Sequence, residues 1–191
     1  KGIAALSTGS VDGDALLDKV GDCQLGDIGG DVRAHGLNNL RLGHVGGDLK
    51  ANGVSGVFQV SNVGGDAIIH GELAQLPALH VGGDLKLNVI AWAPHHDYRA
   101  TVGGDATLHI PEDANVVVSA TVGGEVTGAV RQSGGVLSAL WGNADSAARV
   151  ELTVGGDLRI KAGGQSRVAG QSQSQSHGGE FDWRTSFQDF A

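Results

Sequence analysis

Eight carboxylates recur in one local setting, apolar-Gly-Gly-acidic-apolar, and are the side chains best placed to do chemistry. They are Asp14 (where Asp12 replaces the first Gly), Asp31, Asp48, Asp66, Asp84, Asp105, Glu125 and Asp157, at successive steps of 17, 17, 18, 18, 21, 20 and 32 residues. If the repeats stack, these eight form one acidic column. Two carboxylates about 5 Å apart repel by roughly 3 kcal/mol at an effective dielectric of 20, and by under about 1 kcal/mol in water. Such a column must therefore be solvated, paired or bound to cations. Arg33, Lys50, Lys86 and Arg159, each two residues further on, offer partners. The plainer expectation is an acid that accepts backbone N–H groups at a turn.

Calcium is the sharper alternative for this column. The calcium-binding β-roll carries Gly-Gly-x-Gly-x-Asp at a period of about nine residues, and this chain lacks the second Gly and that spacing. Four residues past each acid runs a second column: His35, Asn52, His70, Asn88, His109 and Lys161. Its His and Asn suit hydrogen bonds up and down a stack, and three His invite zinc. The His repeats alternate with Asn, however. Ligand atoms two layers apart would lie about 9–10 Å from each other, too far for one zinc at about 2.1 Å per bond. His95-His96-Asp97 is a closer local set, read as a surface loop, and His44 and His80 fall at the corners before Gly-Gly. No Gly-rich phosphate loop, nucleophile elbow or Cys-x-x-Cys is present. No catalytic residue, cofactor or metal is expected.

The elements that must position these columns follow from the phase of the apolar residues. After each acid, positions +1 and +3 are apolar: Val32/Ala34, Leu49/Ala51, Ala67/Ile69, Leu85/Leu87, Ala106/Leu108 and Leu158/Ile160. Positions +2 and +4 are mostly polar, so each segment is a strand with one buried face. The alternation returns before the glycines, as in Tyr98, Ala100 and Val102, or Val150, Leu152 and Val154. The Gly-Gly step separates two strands and is expected to need positive φ or a sharp bend. Two or three short strands per 18 or so residues predict an all-β parallel β-solenoid of about eight rungs over residues 1–164, a rod on the order of 35–40 Å long.

Two stretches break the rhythm. Residues 89–99, with Trp92 and Pro94, read as a protrusion. Residues 128–148 read as a rung carrying an insertion, with Trp141-Gly142-Asn143 near its tip. Residues 165–179 are a Gln/Ser/Gly linker. Residues 180–191 hold Phe181, Trp183, Phe187 and Phe190, of which Trp183, Phe187 and Phe190 share one face of a helix. This tail is expected to cap the last rung or dock on another subunit.

Composition excludes several classes. A net charge of −8 leaves no basic face for nucleic acid, and no apolar run is long enough for a transmembrane helix. A single Cys, Cys23, excludes an internal disulfide framework and reads as a core residue. With no signal segment visible at Lys1, it tilts the expected location slightly toward the cytoplasm over the cell surface.

The Val-Gly-Gly-Asp-Leu rhythm over residues 11–161 resembles bacterial β-solenoid proteins. It is similar to bactofilins in rhythm, and closer in wording to adhesin-like Val-Gly-Gly-Asp repeat families. Bactofilin likeness implies right-handed solenoids that polymerise end to end into non-polar filaments. The long step after Glu125 and the aromatic tail depart from a plain bactofilin core. The expected function is a non-enzymatic scaffold that self-associates through rod ends and tail. An adhesin-like module contacting a protein or glycan through exposed Trp92 and Trp141 is the alternative. A metal-dependent left-handed β-helix enzyme, similar to γ-class carbonic anhydrases, is a further one.

Overall fold

The computed structural model describes residues 3–164 and the backbone of 166–168. In chain order the strands are β1 (Ile3–Ser7), β2 (Ala15–Asp18), β3 (Val20–Gln24), β4 (Val32–Leu37), β5 (Asn39–Val45), β6 (Leu49–Val54), β7 (Phe58–Val63), β8 (Ala67–Gly71) and β9 (Leu76–Val81). They continue as β10 (Leu85–Val89), β11 (Asp97–Val102), β12 (Ala106–Ile110), β13 (Val116–Gly128), β14 (Gln132–Trp141), β15 (Ala148–Val154), β16 (Leu158–Ala162) and β17 (Ser166–Val168). All strand pairings are parallel except those of β14 with β13 and with β17, and the fold is a parallel β-solenoid.

Each layer contributes one strand to each of two stacks. The first stack runs β2, β4, β6, β8, β10, β12, in register through Ala15, Val32, Leu49, Ala67, Leu85 and Ala106. The second runs β1, β3, β5, β7, β9, β11. The apolar +1 and +3 residues point inward: Leu49, Ala51, Ala67, Ile69, Leu158 and Ile160 are all buried. Facing them from the second stack are Phe58, Val60, Val63, Tyr98, Val150 and Leu152, in one continuous core. Among the described residues no polar or charged side chain is buried apart from the tips of aromatic rings. Stability thus comes from the apolar interior and the parallel ladders.

Beyond the sixth layer, spatial order departs from chain order. The strands stacked on β11 and β12 are β15 and β16, not β13: Thr101 pairs with Thr153, and Ala106 with Leu158. Strand β13 forms the eighth layer, on top of both, with Val116 against Ala148 and Val126 against Leu158. It then turns into β14, which runs antiparallel along it from Val126–Gln132 to Val116–Trp141. To return, the chain crosses the loop before β13. Asn143 N–H donates to Asn115 Oδ1 at 2.8 Å, and Ala148 N–H to the Asn115 carbonyl at 2.9 Å. A short 3-10 turn, Ala144–Ser146, separates these contacts. Strand β17 extends the cap, antiparallel to β14.

Several expectations are corrected by this arrangement. Residues 128–148 are not a rung with an insertion; they supply the strand that closes one end of the rod. Trp141 is no loop tip: it ends β14 and is 1% exposed. Within residues 89–99 only 90–96 are a loop; it joins β10 to β11 and folds back on the core. There Trp92 packs edge-on against Tyr98 at 4.8 Å between ring centres. The Tyr98 hydroxyl donates to the Leu73 carbonyl at 2.8 Å and accepts from Ala93 N–H at 3.0 Å.

The Gly-Gly corners do not have positive φ; that conformation belongs to glycines such as Gly36 and Gly53 elsewhere in the coil. They are glycine because layers approach closely. A Cβ on Gly64 would collide with the Gly46 carbonyl below, and one on Gly65 with the Asp48 carboxylate.

Candidate functional site

The acidic column is a chain of hydrogen bonds running from layer to layer. Each carboxylate accepts the backbone N–H of the acidic residue in the next layer. Asp14 Oδ1 takes Asp31 N–H, Asp31 takes Asp48, Asp48 takes Asp66, Asp66 takes Asp84, and Asp84 takes Asp105, at 2.8–3.0 Å. The series then passes to Asp157, whose N–H meets Asp105 Oδ1 at 2.8 Å, and ends at Glu125, whose N–H meets Asp157 Oδ1 at 2.8 Å. One carboxylate oxygen per layer thus serves the corner, and the glycines at each corner make room for it. A charge-assisted bond to a backbone N–H is stronger than a neutral one. Water around this exposed corner screens the repulsion between layers. Of the four basic residues two positions on, only Arg33 reaches its own acid among the described residues, at 3.8 Å from Asp31 and exposed.

Glu125 terminates the column for a visible reason. Above it lies antiparallel β14, where Glu125 sits opposite Ser133. No parallel layer follows to present an N–H to a short carboxylate, and here the repeat changes from Asp to Glu.

The layers bring the His/Asn column together as one row on the outer face of the first stack. Adjacent members pair in the order His35, Asn52, His70, Asn88, His109 and Lys161. Asp18 begins the row below His35, with His35 Nδ1 3.1 Å from Asp18 Oδ1. Asn separates every pair of histidines in the row. Among the described residues no group of three or more His, Cys, Asp and Glu converges. The His95-His96-Asp97 loop does not gather either. His96 Nδ1 lies 2.8 Å from the Pro94 carbonyl, while Asp97 faces Arg99 at 3.6 Å.

Two further ladders escaped the sequence reading. Asn39 Nδ2 donates to Asp22 Oδ1 at 2.6 Å, and Asn39 Oδ1 accepts Val57 N–H at 2.7 Å. Asp27 Oδ1 accepts His44 N–H at 2.8 Å, and His44 Nδ1 lies 2.8 Å from Asn62 Nδ2. The signal was the same one-period spacing, from Asp22 to Asn39 and from Asp27 to His44, without the Gly-Gly that drew attention to the main column.

Polar side chains at the corners and along the outer faces thus stitch layers together. The indoles expected as exposed binding anchors are covered, Trp92 at 9% and Trp141 at 1% exposure. The outer face of β11, β15 and β13 holds a shallow groove of about 330 Å³, crossed by an Arg99–Glu151 ion pair at 2.8 Å. Cys23 is buried in the core, and burial pushes its thiol up. No described helix is long and apolar enough to cross a membrane. Phe181, Trp183, Phe187 and Phe190 lie outside the described residues. Comparison with protein-family models, with curated proteins and with solved structures finds no match.

Proposed function

We propose that this chain is a non-enzymatic structural protein, a β-solenoid scaffold that self-associates through its rod ends and C-terminal tail. The observation that carries the reading is the first layer. Among the described residues, strands β1 and β2 each pair on one side only, with β3 and β4. Their other edges have no partner among the described residues, and Leu6, Val11 and Ala15 of the same layer are only partly buried against the core. Such an edge is a template for another β-structure. The polar residues support the same reading, because those in the columns are engaged between layers rather than converging on a shared point.

Light scattering across a concentration series, with electron microscopy of the same samples, tests this. The expected result is a mass that rises above the 19.3 kDa of one chain as concentration increases. A constant 19.3 kDa at every concentration sinks the proposal. Deleting residues 171–191 in the same series shows whether the aromatic tail contributes to association.

A further inference from the structure

We propose that the place directly above β11 and β12 is filled twice as the chain folds. Strand β13 takes it first, and β15 with β16 then displaces β13 to the layer above. This goes beyond the scaffold reading and does not depend on it, because it concerns strand order within one chain.

The two occupants fit that place residue for residue. Strand β15 pairs with β11 on one side and β13 on the other at matching positions. Tyr98, Val150 and Val118 therefore share one column, as do Ala100, Leu152 and Ala120, and Val102, Val154 and Val122. Past the corner, Leu158 pairs with both Ala106 and Val126. The corner itself demands glycine. A Cβ on Gly155 would meet the Gly103 carbonyl, and one on Gly156 the Asp105 carboxylate. Gly123 and Gly124 meet the same demand on the Gly155–Asp157 corner. Glu125 N–H, which donates to Asp157 Oδ1 at 2.8 Å, suits equally the Asp105 Oδ1 that Asp157 N–H holds at 2.8 Å.

Distance along the chain favours β13. Glu125 lies 20 residues past Asp105, within the 17 to 21 that separate the acids of the layers below. Asp157 lies 52 residues past Asp105. The shorter loop costs less entropy to close, and local contacts form sooner. Residues 111–115, between β12 and β13, climb two layers in the folded chain and so can climb one.

Stability favours β15 and β16. With β13 in their place, the next strand outward is antiparallel β14. Val150, Leu152, Val154, Leu158 and Ile160, all buried in the folded chain, then have no parallel layer to join. Their burial drives the exchange. One ion pair also tells the occupants apart. Arg99 Nε lies 2.8 Å from Glu151 Oε2, whereas β13 carries Ser119 in that column. The return loop then fixes the order, with the Asn143 and Ala148 N–H groups donating to Asn115.

Pulse oxidation of the full-length chain during refolding from urea is the test. Cys23→Ala removes the one native thiol. Adjacent parallel strands put matched Cα atoms about 4.8 Å apart, within disulfide range, and a two-layer gap of about 9–10 Å is outside it. Thr101→Cys with Thr121→Cys should cross-link within one chain early in refolding and no longer once folding is complete. Thr101→Cys with Thr153→Cys should cross-link only as the first pair fades. Charge variants separate exchange from chance early contact. Glu151→Arg sets two guanidinium groups side by side in the final arrangement and should lengthen the life of the early one by about two- to fivefold. Ser119→Arg opposes Arg99 in the early arrangement and faces Glu151 in the final one, so it should shorten that life by a similar factor. Three results overturn the exchange. One is a Thr101/Thr121 yield that never exceeds that of an unmatched pair, Lys50→Cys with Thr121→Cys. Another is a Thr101/Thr153 pair that forms in full from the outset. The third is a shift in the same direction from both arginine variants.

Discussion

Single residues in the corner column carry small, separable energies. Asp66→Ala leaves the Asp84 N–H without its carboxylate, and water reaches that exposed corner, so a loss of about 1 kcal/mol is expected in urea unfolding. Asp66→Asn keeps an acceptor oxygen at the same place and should lose less than half as much. The glycines separate two causes that sequence alone confuses. Gly64→Ala drives a methyl group into the Gly46 carbonyl and should cost roughly 3 kcal/mol, although its φ is ordinary. Gly53→Ala has room, with nothing nearer than 3.6 Å, and should cost only about 1 kcal/mol for its φ of 72°. Equal losses at the two sites would refute the close-approach account. Cys23 adds a pH term. Burial raises its pKa, so the folded chain keeps the proton after the unfolded chain has released it. Stability is then constant below the ordinary thiol value and falls as pH rises above it. Cys23→Ser removes that alkaline decline while costing stability at neutral pH.

At the level of elements, strand phase was readable and strand order was not. The alternation at +1 and +3 marked β4, β6, β8, β10, β12 and β16 with their buried faces, because a period of two is a local property of sequence. The insertion of β15 and β16 between β11 and β13 left no such local trace. It has a physical rationale. If β13 lay directly on β11, the later strands would have to stack on antiparallel β14, and Asp157 would lose its place between Asp105 and Glu125. The swapped order keeps every Asp–N–H link of the column intact. Paired cysteines distinguish the two orders. Thr101→Cys with Thr153→Cys joins register partners and should form a disulfide. Thr101→Cys with Thr121→Cys spans two layers, about 9–10 Å, and should not. The reverse outcome would restore chain order. Tyr98→Phe tests the loop of residues 90–96. It strands the Leu73 carbonyl and the Ala93 N–H, and a loss of about 1–2 kcal/mol is expected by denaturant titration.

For the whole molecule, charge opposes the proposed self-association. Each chain carries −8. Screening should therefore strengthen the proposed self-association. Raising salt from about 0.03 M to about 0.3 M shortens the screening length from roughly 18 Å to roughly 6 Å and should lower the Kd of self-association, as read by sedimentation. A Kd that rises with salt would mean that attraction between unlike charges holds the copies together. The solenoid and the identity of the stacked columns were determined by the sequence itself, which left two or three strands per layer open. Each follows from which residue repeats at which spacing, and neighbouring side chains decide it. The order of the last layers, the antiparallel lid, the burial of Trp92 and Trp141 and the inequality of the two rod ends were decided only in three dimensions. Each Val-Gly-Gly-Asp phrase fits any parallel neighbour equally well, so the repeats could not say which layer lies on which. Only the combined pairing of distant strands settles that order.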